Sequence, residues 1–253
     1  MRRRVARVGL TVLTLLAAWA VASLALGRPT LPAPAAVAAR VVDVLTTPGP
    51  RGHRAGYHLG VSVARVAVAS ALGLGLSTAL GVAMGVDDRV EAAVAVWLPA
   101  WMTVPTLVVV LVTMVLLDFS EASVVAGVTF VATPYATANT WAGARGVDPA
   151  LLEMARAFDV DRWGVIRHVY LPAALPEVVG SFRYLLGMVW KVVVLAETFG
   201  MNEGLGAMFR FWFNQGDVAT VLAYLSLFVA VMVALQYGVR ALSARLFAWR
   251  ATP

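Results

Sequence analysis

Apolar residues fall into six long runs, at about 8–26, 58–86, 90–117, 122–143, 176–200 and 218–239. Each is about the twenty residues that a helix needs to cross a bilayer core, so the pattern predicts six membrane-spanning helices. The second run is rich in small residues (Ser62, Ala67, Ser70, Gly73, Gly81, Gly85), which let helices approach closely in lipid. The third carries Pro99 and Pro105, with Trp97 and Trp101 one turn apart on one face. The fourth carries Pro134 and a polar series (Thr133, Tyr135, Thr137, Asn139, Thr140); for Asn139 and Thr140, near its cytoplasmic end, helix–helix hydrogen bonding is the default reading. Residues 1–27 read as a first transmembrane helix, although Ala25-Leu26-Gly27 is also a weak signal-peptide cleavage site. Residues 28–57, with five prolines, read as an external connection holding a short interfacial helix near 35–45. Residues 58–250 read as the transmembrane core.

Between the fourth and fifth runs lies the one long stretch mixing helical periodicity, charges and turn residues, 148–172. Asp148 followed by Pro149 predicts an N-cap and a proline in the first helical turn, with a helix to about Phe158. Asp159-Val160-Asp161 breaks it, and Asp161 caps a second short helix to about Arg167. Pro172 and Pro176 are expected to end that helix and start the fifth span. The product is an elbow bearing Arg156, Arg162 and Arg167.

Composition agrees with lipid as the solvent. The chain of 253 residues is 60% hydrophobic and 13% charged, with mean hydropathy +0.81. A soluble domain would carry about twice that charged fraction. With no cysteine, disulfides and thiolate metal sites are excluded. The net charge of +6 does not point to nucleic acid, because the arginines cluster at segment ends rather than along one face. Both termini, the 87–89 turn and the elbow together hold 12 basic residues, against five (Arg28, Arg40, Arg51, Arg54, Arg210) on the other side. The positive-inside rule therefore places both termini and the elbow in the cytoplasm.

The spacing Glu153-x-Ala155, three residues, Asp159, nine residues, Val169-x-Leu171-Pro172 resembles the cytoplasmic loop of ABC-importer permeases, where it runs Glu-Ala-Ala, three residues, Gly, nine residues, Ile-x-Leu-Pro. Met154 replaces an alanine. Asp159 replaces the glycine at a turn expected to be left-handed, and aspartate is among the few other residues tolerated there. Trp190-Lys-Val-Val-Val-Leu-Ala-Glu197 and Gly204-Leu-Gly206 extend the likeness to about 57–250, most closely to the nitrate, sulfonate, taurine, bicarbonate or pyrimidine-precursor branch.

That resemblance implies an all-α polytopic membrane protein with a type I importer core and a coupling helix seated in a partner ATPase. It implies a non-catalytic subunit in the bacterial inner membrane, a solute-binding protein at the outer face, and a second permease copy, since one chain has one elbow. The implied coupling residues are Glu153 (capping or pairing), Ala155, Arg156, Phe158, Asp159, Trp163, Ile166, Arg167, Leu171 and Pro172. Phe158, Trp163 and Ile166 would supply apolar contact area, and the arginines would steer toward acidic ATPase surface.

No Walker-type nucleotide loop is present, since the single lysine, Lys191, follows Trp190 inside an apolar run. ATP and magnesium then belong to the partner, and this chain carries no cofactor. His53, His58 and His168 form no zinc signature, and the first two read as solvated. Lys191 and Glu197 each cost about 3 kcal/mol at the centre of a lipid-facing helix. With Trp101 they are candidates for the translocation path, packing being the alternative for each. A self-sufficient secondary carrier needs a repeated half and relay carboxylates, of which only Glu197 is a candidate. A membrane-embedded enzyme needs converging catalytic groups, and the sequence offers no such cluster.

Overall fold

A computed structural model describes residues 2–27 and 30–246, leaving the side chains of 2–6, 8 and 242–246 undescribed. Arg28 and Arg250, counted above for sidedness, lie outside the described residues. Every regular element among the described residues is helical. They are α1 (Arg2–Leu26), α2 (Pro34–Thr46), α3 (Ala55–Val86), α4 (Asp88–Ala95), α5 (Trp97–Thr103), α6 (Thr106–Leu116) and α7 (Glu121–Arg145). After the elbow helices α8 (Pro149–Ala157) and α9 (Arg162–Val165), a π-helical turn (Ile166–Tyr170) leads into α10 (Leu171–Gly200), then α11 (Leu205–Asn214) and α12 (Val218–Leu246).

Among the described residues, four stretches are long and apolar enough to cross a membrane: Gly9–Leu26, Ala55–Val86, Arg162–Gly200 and Val218–Ala241. The predicted third span is not one rod. Asp88–Thr103 and Thr106–Leu116 meet at 97°, and together make a fifth candidate. Val104, directly before Pro105, is extended (φ −64°, ψ 125°), because the proline ring excludes the residue before it from the α region. The predicted fourth span, α7, falls below the hydropathy of the others. At 25 residues, about 37 Å, it is long enough to cross, and its polar face is covered by protein rather than lipid. Thr133 and Thr137 bond back to carbonyls of α7 itself one turn earlier. Asn139 donates to Ser181 of α10 at 3.0 Å, the helix–helix bond expected of it, whereas Thr140 Oγ1 meets no partner among the described residues.

The core is the α3–α7–α10 triplet, with α6, α11 and α12 around it. α3 and α7 run parallel, with a constant offset of 59 residues between facing positions. A Cβ on Gly73 would meet Ala132, on Gly81 Thr140, and on Gly85 Ala144. The last two would clash, so the small-residue face of α3 is what admits α7. Trp190, Leu185, Leu205, Met208 and Tyr224 fill the space between α10, α11 and α12. A helix does form where the short one near 35–45 is expected: α2 packs along α12 and contributes Val44 to the core. α1 is almost wholly exposed along its length and is tied to the body through its last turns, where Trp19 and Ser23 donate to the carbonyls of Pro32 and Leu31.

Candidate functional site

The elbow forms by the local rules its sequence carries. Asp148 accepts the Ala150 amide at 2.9 Å and Pro149 occupies the first turn of α8. At the other end the Asp159 amide reaches the Arg156 carbonyl (3.1 Å) and the Val160 amide the Ala155 carbonyl (3.0 Å). This pair of bonds is a Schellman motif, with Asp159 as its left-handed residue at φ +49°. The departure from glycine at 159 thus keeps the turn, at some conformational cost. Asp159→Gly is expected to raise stability by about 1 kcal/mol and Asp159→Val to lower it by a similar amount or more, read as shifts in thermal unfolding of the purified chain. Asp161 then accepts the Gly164 amide at 3.2 Å and starts α9.

Pro172 and Pro176 do not end that second helix. The chain passes through the π-helical turn, where the Leu171 amide reaches back five residues to Ile166, and continues helically to Gly200. Widening the turn just before Pro172 absorbs its missing amide without a break, so the elbow is continuous with the long helix behind it.

The elbow has two faces. Ala155 is buried at 5% exposure, and Ile166, Tyr170 and Leu171 pack against Val82, Ala144 and Ala174 at the ends of α3, α7 and α10. Ile166 and Leu171, both partly buried, therefore help hold the elbow to the body. Pointing away are Phe158 (76% exposed), Trp163 (65%), Met154, Leu151 and Val160, with Arg156, Arg167 and Pro172 also exposed. Leu151, Met154 and Val160 escaped the sequence reading because periodicity alone does not say which face of a short helix meets the body. Glu153 is exposed and makes no hydrogen bond or ion pair with any described residue. The predicted capping or pairing by Glu153 is absent because Asp148 and the Schellman bonds already satisfy both ends of α8.

One ion pair braces the elbow: Arg162 lies 3.2 Å from Asp87, at the turn between α3 and α4. The Arg89 amide, bonded at 3.0 Å, holds the Asp87 carboxyl below its usual range against a small opposing desolvation, and Arg162 lowers it further. The brace is thus charged at neutral pH, and whatever stability it adds is lost as pH falls through that lowered value. Arg145 pairs with Glu91 beside it.

At the opposite end of the bundle, Glu197 is enclosed at 0% exposure. Its carboxylate accepts from Ser62 (2.8 Å), from Arg65 (2.8 Å) and from the Gly206 amide (3.0 Å). The two preceding amides at the start of α11 are met by α3 side chains, Leu205 by Ser62 (2.9 Å) and Gly204 by His58 Nδ1 (3.2 Å). Two side chains one turn apart on α3, His58 and Ser62, together with Glu197, thereby satisfy the N-terminus of α11, where a negative charge is favoured, and Arg65 a turn further on holds Glu197 in place. Arg65 continues the chain to Glu121, with two bonds, and to the Glu203 carbonyl. A Cβ on Gly204 would run into the Glu197 carboxylate and one on Gly206 into the Val194 carbonyl, which explains Gly204-Leu-Gly206. Glu197 is thus a clamp inside the protomer, and His58, buried at 1%, is not solvated. Between the fifth and sixth apolar runs, α11 (Leu205–Asn214) has its first turn buried, because this cluster anchors it.

The other path candidates lie apart. Lys191 is exposed near the middle of α10 and makes no hydrogen bond or ion pair with any described residue; Gly180 and Tyr184 are also exposed and lie within about 20° of its direction around the helix. Trp101 is half-buried, its ring 4.7 Å from Phe130, on the wall of an apolar groove of about 670 Å³ shared with Leu76, Ala83, Thr129 and Thr133. Among the described residues no group of three or more His, Asp or Glu side chains could hold a metal ion.

The sequence profile described as binding-protein-dependent transport system inner membrane component matches residues 71–248. An aliphatic sulfonates transport permease of Escherichia coli (strain K12) is 41% identical over 85 residues, 33% of this chain and 32% of that protein. An aliphatic sulfonates transport permease of Bacillus subtilis (strain 168) is 31% identical over 193 residues, 76% of this chain and 70% of that one. A taurine transport system permease of E. coli (strain K12) is 34% identical over 111 residues, 43% of this chain and 39% of the relative. The chain thus spans about a third of the length of one E. coli relative and 70% of the B. subtilis one. Among solved structures, an inward-facing MetNI methionine ABC transporter has a similar chain at TM-score 0.63, with 17% identity over 75% of this chain and 92% of that one.

Proposed function

This chain belongs to the family of binding-protein-dependent transport system inner membrane components, and from that premise we propose that it is the permease subunit of an ATP-driven importer of small anions. The observation that carries the reading is the elbow: a tip, 149–163, that exposes Phe158 and Trp163 beside Arg156 and Arg162 projects from a lipid-compatible bundle while its base packs against α3, α7 and α10. Monomeric proteins seldom leave such a patch uncovered. A partner ATPase seated on it would move α10 through α9, since no break separates those two.

In this mechanism a solute-binding protein delivers cargo at the end bearing the Glu197 cluster. Two ATPase subunits, which carry the ATP and magnesium, close at the other end and drive alternating access between two copies of the permease. Both termini and the elbow are cytoplasmic, as the arginine distribution supports. Names of the relatives support an organic sulfonate as cargo. Lys191, a cation without a partner among the described residues on an exposed α10 stripe, would face that anion across the copy interface.

Co-reconstitution with an ATPase and a binding protein tests the assignment: uptake into liposomes is expected to require both, together with ATP. Uptake by this chain alone would instead identify a self-sufficient carrier. Within the working complex, Lys191→Met is expected to reduce uptake of a sulfonate at least tenfold, with basal ATPase activity retained. Unchanged anion uptake would remove Lys191 from the path.

A further inference from the structure

A basic cavity that neither the elbow nor the path uses lies between α10 and α12. The two helices cross at Gly187, where a Cβ would meet Met232 at 3.1 Å and Gln236 at 3.6 Å. On the elbow side of that crossing, Arg183 and Leu186 of α10 and Val233, Gln236, Tyr237 and Arg240 of α12 line a cavity of about 590 Å³. The described residues lining it include two arginines and no carboxylate. Arg240 makes no hydrogen bond or ion pair with any described residue.

Depth makes the cavity amphipathic. Arg240 follows Val218, the far end of α12, by 22 residues, about 33 Å of helix, close to the thickness of a bilayer core. It therefore sits at headgroup level. Tyr237, 68% exposed, is nearly one turn inward, where aromatic rings mark the membrane boundary. Val233 and Leu186 lie deeper and are apolar. A free inorganic anion would use the cationic rim and leave the apolar wall bare; a ligand with a charged head and a hydrocarbon tail uses both.

We propose that this cavity binds an anionic phospholipid from the leaflet on the elbow side, with its phosphate on Arg240 and Arg183. Gln236 and Tyr237 donate to the headgroup, and an acyl chain lies along Val233 and Leu186. Basic pockets between membrane helices take such headgroups. Calling this the cytoplasmic leaflet rests on the sidedness proposed above; the binding itself does not.

Native mass spectrometry of the full chain, purified and exposed to equal phosphatidylglycerol and phosphatidylcholine, tests it without any transport step. One phosphatidylglycerol is expected to be retained, with a preference on the order of tenfold. Arg240→Gln and the double variant Arg183→Gln/Arg240→Gln should bring retention to the phosphatidylcholine level, while Arg240→Lys keeps much of the preference. Millimolar inorganic phosphate should not displace the lipid. Equal retention of both lipids overturns the proposal, as does an unchanged preference in the double variant. So does displacement by inorganic phosphate, which would make this a free-anion site.

Discussion

Arg65→Met is expected to be the most damaging single change away from the elbow, lowering stability by about 3–5 kcal/mol, the usual cost of removing one partner from a buried ion pair. The guanidinium bonds to Glu197, Glu121 and the Glu203 carbonyl, and its side chain is 4% exposed. Without it, the fully enclosed Glu197 carboxylate keeps only Ser62 and the Gly206 amide, and the start of α11 loses its brace. Glu197→Ala should cost a similar amount by stranding Arg65. The double variant Arg65→Met/Glu197→Met should be milder than the sum of the two, because no uncompensated charge remains between α3 and α10. Thermal unfolding followed by size-exclusion chromatography measures all three. An Arg65→Met protein as stable as the parent would show that the cluster does not hold this end of the bundle together.

Trp163→Ala is expected to act in the opposite manner, leaving the purified chain as stable as before but weakening its grip on the ATPase. A large aromatic at the centre of an interface commonly contributes about 2 kcal/mol, or roughly thirtyfold in affinity. Phe158, at the same tip, should behave likewise. Ile166→Ala supplies the contrast. It packs against Val82, Ala144 and Ala174, so its loss should lower stability by about 2 kcal/mol before it alters docking. Affinity for the ATPase by light scattering, set beside thermal unfolding of the permease alone, separates the two effects. Normal docking by a Phe158→Ala/Trp163→Ala double variant would move the contact surface elsewhere.

The contrast between Trp163 and Ile166 shows where a sequence stops being informative. Both are apolar, three residues apart on a short helical stretch, and both read as contact area. Which one faces the body depends on where the ends of α3 and α7 lie, and no local pattern encodes that. His58, Ser62 and Arg65 are similar. Their i, i+4, i+7 spacing marks one face of α3, but the groups of α10 and α11 that they meet are 132 residues or more away in the chain. A polar stripe in a membrane helix signals that something must answer it, not what. Glu197 read as a path candidate for the same reason: an ionisable group in an apolar span is costly, and only packing distinguishes a clamp from a pore.

Local chemistry by itself determined the helical, membrane-embedded class of the chain and the elbow with its caps and left-handed turn at Asp159. These follow from hydropathy over twenty residues and from hydrogen bonds that close within six. Tertiary structure alone decided that Pro172 and Pro176 sit within a continuous path into α10, and that Arg65 and Glu197 neutralise each other at the start of α11. Those outcomes depend on which surfaces meet across distances the chain does not encode locally, and on the need to satisfy every polar group that lipid cannot.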